Sequence, residues 1–126
     1  MGLTYISIRV ANPVTLKKHV QVKFLVDSGA VYSVVPGSIL KSLGIKPHSE
    51  RKFVLDNGDE IVRKLGTAAF EYKGHRGDSL VVFGENGDKP LLGATTLESF
   101  GFILDPFRRE LKPLPMMLAD FESSFR

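Results

Sequence analysis

The chain has 126 residues, 43% hydrophobic and 25% charged, with a net charge of +3 and no cysteine. That length allows one domain with a real core, and the lack of thiols excludes disulfides, thiolate metal centres and cysteine nucleophiles. No apolar run approaches the roughly 20 residues of a membrane span, and the basic pairs Lys17-Lys18, Arg51-Lys52, Arg63-Lys64 and Arg108-Arg109 are scattered among 14 acids, which argues against a nucleic-acid partner.

The N-terminal stretch Met1-Gly2-Leu3-Thr4-Tyr5-Ile6 has no basic segment leading into an apolar one, so no secretory signal and a cytoplasmic location are expected. Tyr5 to Val10 alternates like a strand and stops at Asn12-Pro13. His19 to Phe24 alternates again, with Val20, Val22 and Phe24 on one face. The pattern then turns continuously apolar through Leu25 and Val26, as in a strand end buried on both sides. Val31 to Val35 is a β-branched run stopped by Pro36-Gly37. Ser38 is positioned to cap a short helix from Ile39 to Leu43, with Gly44 as its stop.

Further on, Lys52 to Leu55 and Ile61 to Arg63 flank Asp56-Asn57-Gly58-Asp59, and Asn-Gly between two such runs signals a hairpin. A second hairpin is expected from Thr67 to Lys73, a turn through Gly74 and Gly77, and Ser79 to Phe83. A turn follows from Gly84 to Pro90. Leu91-Leu92-Gly93-Ala94 is apolar, and Thr95 or Thr96 is placed to cap a helix from Leu97 to Phe100, ended by Gly101. Phe102 to Leu104 and Glu110 to Pro113 complete the strands. The tail from Pro115 can form a helix with Leu118, Phe121 and Phe125 on one face. About eight short strands with two short helices make an all-β barrel-like or sandwich domain.

The chemistry concentrates at Asp27-Ser28-Gly29-Ala30. Asp-Ser-Gly is a common turn tripeptide, but this one ends an apolar strand, where an ordinary surface turn would not be buried. It is also matched downstream by the apolar-apolar-Gly element Leu91-Leu92-Gly93. One carboxylate at neutral pH is a weak base and no acid. Two about 3 Å apart cannot both ionise and share a proton. One can then deprotonate a water while the other protonates the oxyanion. The chain supplies one such element, so the active unit is expected to be a symmetric pair of chains. Gly29 suits a close approach of backbone to the partner carboxylate, Ser28 a hydrogen bond across the pair, and Ala30 a site with little room.

With these two elements, the β-branched run ending in Pro36 and the hairpin at Asn57-Gly58, the chain resembles the retroviral-type aspartic proteases (retropepsins) over roughly residues 3–113. The closing segment Leu91 to Phe102 looks more like their cellular, prokaryotic-type relatives. The resemblance implies an acid-protease barrel over residues 1–113 with a C-terminal tail over 114–126, working as a C2 homodimer on peptide or protein substrates without metal or cofactor. It implies that Asp27 is the catalytic acid/base, one per subunit. By the same resemblance, Ser28 would interlock the two active-site loops, Gly29 would present its carbonyl to substrate, and Ala30 would line the cleft. Asp56, Asn57, Gly58 and Asp59 would form the flap. Leu92 and Gly93 would stand behind the site, Gly93 letting the short helix pack against the catalytic loop. The termini would interleave with those of the partner.

Three departures from the viral pattern carry consequences. Ser28 replaces the usual Thr and keeps the hydroxyl. The flap tip is acidic with a single glycine, so Asp56, Asp59 and Glu60 are expected to disfavour acidic peptides. Ala94 follows the second glycine where viral enzymes often carry Arg or Asp, so an intersubunit ion pair is missing.

Other readings fit less well. Ser28, Ser33 and Ser38 lack a nucleophile elbow. His19, His48 and His75 have no evident orienting acid, and the Asp56 to Glu60 loop fails calcium-loop spacing. Met116-Met117 reads as tail packing. The rival that stays open is a dimerisation or peptide-binding module of the same fold with weak or no turnover. Pocket candidates are Val34, Val54, Phe83 and Leu92, with register deciding which face the cleft.

Overall fold

The computed structural model describes residues 2–114. The expected tail helix, with Leu118, Phe121 and Phe125, falls on 115–126 and lies outside the described residues, as do Met116 and Met117. Nine strands and two short helices run in the order β1 (Tyr5–Ala11), β2 (His19–Val26), β3 (Ser33–Pro36), α1 (Gly37–Ser42), β4 (Ser49–Val54), β5 (Glu60–Tyr72), β6 (His75–Gly84), β7 (Leu91–Leu92), α2 (Ala94–Phe100), β8 (Phe102–Asp105) and β9 (Glu110–Pro113). Seven strands form one sheet in the order β1-β2-β7-β3-β6-β5-β4, and an added β1–β5 pairing closes it. The result is the expected all-β barrel. Among the described residues β4 pairs only with β5, at the end of the sheet beyond the closed part.

The alternation read from β1 and β2 sets the inside of the barrel. Ile6, Ile8, Val10, Val22, Phe24 and Val26 point inward, since successive side chains face opposite sides of a strand. Phe24 and Phe70 are fully buried with ring centroids 6.1 Å apart, and Phe100 continues the stack 6.4 Å beyond Phe70. Phe102 extends it 5.9 Å beyond Phe100. These tilted and edge-on contacts suit the aromatic quadrupole. They tie α2 and β8 to the barrel wall.

Several local expectations need correction. The strand after the Asp27 to Ala30 loop begins at Ser33 rather than Val31. Ser38 lies inside α1, and neither helix has a side-chain cap; Pro36 and Gly93 occupy the cap positions. Thr96 is buried instead of capping, because its hydroxyl bonds to Ser33 and Ser79. The two strands expected at Ile61 to Arg63 and Thr67 to Lys73 are one 13-residue strand, β5. Gly66 does not interrupt it; a Cβ there would come within 2.8 Å of the Phe83 ring. Gly77 belongs to β6, paired with Phe70. The turn is the two-residue Lys73-Gly74, at φ 46° and 81°, the left-handed pair that matches strand twist in a tight hairpin.

Candidate active site

Asp27 stands at the end of β2, where the chain leaves the barrel. Its N–H donates to the Leu92 carbonyl at 3.0 Å, and the Ala30 N–H donates back to its carbonyl at 3.1 Å. The parallel pairing of Val26 with Leu92 brings the two sequence elements side by side. Its carboxylate is exposed, and Oδ1 accepts the Gly29 N–H at 2.9 Å. Gly29 leaves room for that contact: a Cβ would lie 3.2 Å from Oδ1. Ser28 is exposed and Ala30 half-buried.

Gly93 closes the back of the loop. Ala94 and Thr95 donate their N–H groups to the carbonyls of Ala30 and Val31 at 2.8 and 3.0 Å. Gly93 donates its own N–H to Ser33 Oγ at 2.9 Å. Ser33, Thr96 and Ser79 then form a buried hydroxyl chain, each member satisfied, as buried polar groups must be. Sequence reasoning passed over these three as a failed nucleophile, a cap and a strand residue. The signal was there in the polar Ser33 within an apolar run and Thr96 one turn past Gly93. Leu92 is fully buried.

The hairpin of β4 and β5 overhangs this region. Its loop, Leu55 to Asp59, is set by Leu55 N–H to Asp59 O at 2.8 Å and Gly58 N–H to Leu55 O at 2.9 Å, with Gly58 at φ 90°. Asn57 holds Asp59 through both its amide oxygen and nitrogen. Beneath lies a cleft of about 730 Å³, lined on one side by Ala30, Val31, Tyr32, Val34 and Leu91 and on the other by residues of the hairpin, Phe53, Val54, Leu55 and Ile61 among them. Val34 and Val54 thus face it as expected. Phe83 and Leu92 do not. They point into the core, and their neighbours Val82 and Leu91 take the cleft face, the one-residue difference that register imposes.

Arg63 on β5 clamps the hairpin to the turn before β7. It makes two hydrogen bonds to the Asp88 carboxylate, 2.7 and 3.1 Å, with Glu85 3.7 Å away. The Arg63 hydrogen bond is the main cause, ahead of the Glu85 N–H and the guanidinium charge, that holds the Asp88 carboxyl below the ordinary carboxylate range despite partial burial. A lowered folded-state value adds stability above the unfolded value of about 3.9, lost as pH falls through the folded one. The pair is partly open to water, so the contribution is about 1 kcal/mol at most. Asp88→Asn is expected to remove that increment at pH 7 and flatten the acid limb of the stability curve, measured by urea unfolding at pH 7, 4 and 3. An unchanged curve would contradict the clamp.

Among the described residues no group of three or more His, Cys, Asp or Glu is placed to hold a metal ion, and no helix is long and apolar enough to cross a membrane.

Residues 12–99 match the family described as gag-polyprotein putative aspartyl protease. The chain belongs to this family, the retropepsin-like aspartic proteases. The matched stretch of the retropepsin-like chain holds Asp27 to Ala30, the hairpin and Leu91 to Gly93. Among solved structures it is similar to a foamy viral protease–reverse transcriptase bound to double-stranded DNA, at 16% identity and TM-score 0.51. That likeness covers 94% of this chain but only 18% of that one, and it speaks to fold. Two others are similar in part. The simian foamy virus protease has 19% identity and TM-score 0.49, over 74% of this chain and 92% of that one. A retropepsin-like aspartic protease from Rickettsia conorii has 27% identity and TM-score 0.43, over 80% and 84%. No curated protein sequence matches.

Proposed function

We infer that the protein is an aspartic endopeptidase acting as a homodimer, with Asp27 of each chain forming one catalytic pair. The observation that carries this reading is the setting of Asp27. Its carboxylate is exposed at a strand end, fixed by the Gly29 N–H and backed by Gly93, beside an apolar cleft under a hairpin. A two-fold axis through the loop would make the contact isologous, each Asp27 meeting its copy. Exposed Leu3 and Tyr5 lie next to the loop, since the Thr4 carbonyl accepts the Val26 N–H at 2.9 Å, and they suit a partner's cover. Ser28 would bridge the two loops.

In the pair, two close carboxyl groups hold one proton between them. The ionised one takes a proton from water as its oxygen attacks the amide carbon. The protonated one donates to the carbonyl oxygen, and the tetrahedral intermediate then collapses with proton delivery to the leaving nitrogen. The Asp56 to Asp59 hairpin tip serves as the flap. Val54 and Leu55, 70% and 43% exposed, give it an apolar face for substrate. Digestion of a peptide library at pH 4 to 7 tests the reading. Cleavage by the wild type and none by Asp27→Asn is the expected result. No cleavage by either would leave a peptide-binding or dimerisation module.

A further inference from the structure

The cleft wall carries charge opposite to that of the flap tip. Arg51, Lys52, Arg63, Asp88 and Lys89 line it, whereas Asp56, Asp59 and Glu60 do not. Arg63 is engaged by Asp88 and Glu85, and Lys52 lies 3.8 Å from Glu60. Arg51 and Lys89 have no carboxylate within 4 Å among the described residues. Register makes Arg51 the more telling of the two. It sits directly opposite Arg63 across β4 and β5, a like-charge pairing that disfavours the sheet. Among the described residues its side-chain partner is the neutral Tyr32 hydroxyl, over whose ring it also lies at 5.6 Å. A guanidinium has five N–H donors in a fork suited to a carboxylate, so most remain for a ligand.

The spacing fits an extended peptide. Arg51 and Phe53 are two apart on β4 and share its inner face, Phe53 packing edge-on against Tyr32 at 6.2 Å. A peptide strand laid alongside repeats its own side chains at the same interval. We propose that the cleft selects peptides with an apolar side chain seated against Phe53, Val34 and Leu91 and an acidic side chain two positions along, held by Arg51 with Lys89 adding to the field. This rests on the endopeptidase reading and names its substrate class. It reverses the preference expected from the flap acids, because Asp56 and Asp59 lie outside the cleft lining and Glu60 is paired with Lys52.

Matched fluorogenic peptides, differing only in Glu, Gln or Lys at the position two from the apolar residue on either side, provide the test. The wild type is expected to favour Glu over Lys by about tenfold in kcat/KM, as for partly exposed charge pairs. The Glu-over-Gln advantage should shrink at high salt and vanish below about pH 4, where the substrate carboxylate protonates. Arg51→Glu should turn the preference toward Lys, and Arg51→Gln should bring the ratio close to one. Indifference of the wild type to the three side chains would overturn the inference and leave the endopeptidase reading intact. If no peptide is cleaved, anisotropy of the same peptides with Asp27→Asn reads the selection directly. Tighter binding of the Glu peptide sustains it while the endopeptidase reading falls; equal binding or none overturns it.

Discussion

Asp27→Asn is expected to lower kcat for peptide cleavage by about 10³-fold or more, the scale of a lost general acid–base group, while leaving peptide affinity and folding in place. The substitution keeps shape and an Oδ1 acceptor, so the Gly29 N–H retains its partner at the position where it now lies 2.9 Å away. The main-chain bonds that anchor the loop, Asp27 N–H to Leu92 O and Ala30 N–H to Asp27 O, do not involve the side chain. What disappears is the capacity to take a proton from water and return it. Thermal stability is expected to stay within about 1 kcal/mol of wild type, as for an exposed isosteric change. Wild-type turnover in a correctly folded Asp27→Asn protein would contradict the assignment.

Gly93→Ala is expected to destabilise the fold by about 3 kcal/mol or more, the upper range for forced overpacking. A Cβ at this position would come within 2.5 Å of the Tyr32 carbonyl oxygen, 2.6 Å of its carbon and 2.9 Å of the Ala30 oxygen. All three are backbone atoms of the loop between β2 and β3, so no side chain can swing aside. To make room, α2 must withdraw and give up the Ala94 and Thr95 hydrogen bonds to that loop, together with the Gly93 bond to Ser33. The expected readout is a fall in melting temperature of about 10 °C or more. It should be accompanied by loss of activity even at temperatures where the variant is folded. Because Gly93 has ordinary extended geometry, φ −98°, the effect is steric and not a matter of backbone handedness. A variant as stable as wild type would show that the loop and helix are not locked together.

The Asp27 loop was legible in the sequence because β2 changes character along its length. Alternation holds while one face meets water and fails at Leu25-Val26, beside β7, where Val26 is buried and Leu25, expected to be buried as well, is half-buried. The hairpin over the cleft was equally readable, since Asn57-Gly58 demands a turn and its flanks can pair. Glycines misled where they serve packing instead of turning. Gly66 leaves space for the Phe83 ring and Gly77 for Ser99, and neither role has a local signature. The Ser33–Thr96 contact joins residues 63 positions apart, brought together by the β3–β7 pairing and the hydrogen bonds from Gly93, Ala94 and Thr95 to the 30–33 segment. Which residues face the cleft depended on register. Val82 and Leu91 replaced Phe83 and Leu92, and Arg51 emerged as a lining cation only once β4 was paired.

In the proposed dimer, one active site needs an Asp27 from each of two chains. Mixing wild type with an equal amount of Asp27→Asn protein tests it most directly, at constant total concentration in the range where specific activity has reached its plateau. Random pairing leaves about a quarter of the pairs with both carboxylates, so the equilibrated mixture should show about a quarter of the wild-type rate. A rate of about one half, the value for chains acting alone, would contradict the paired site.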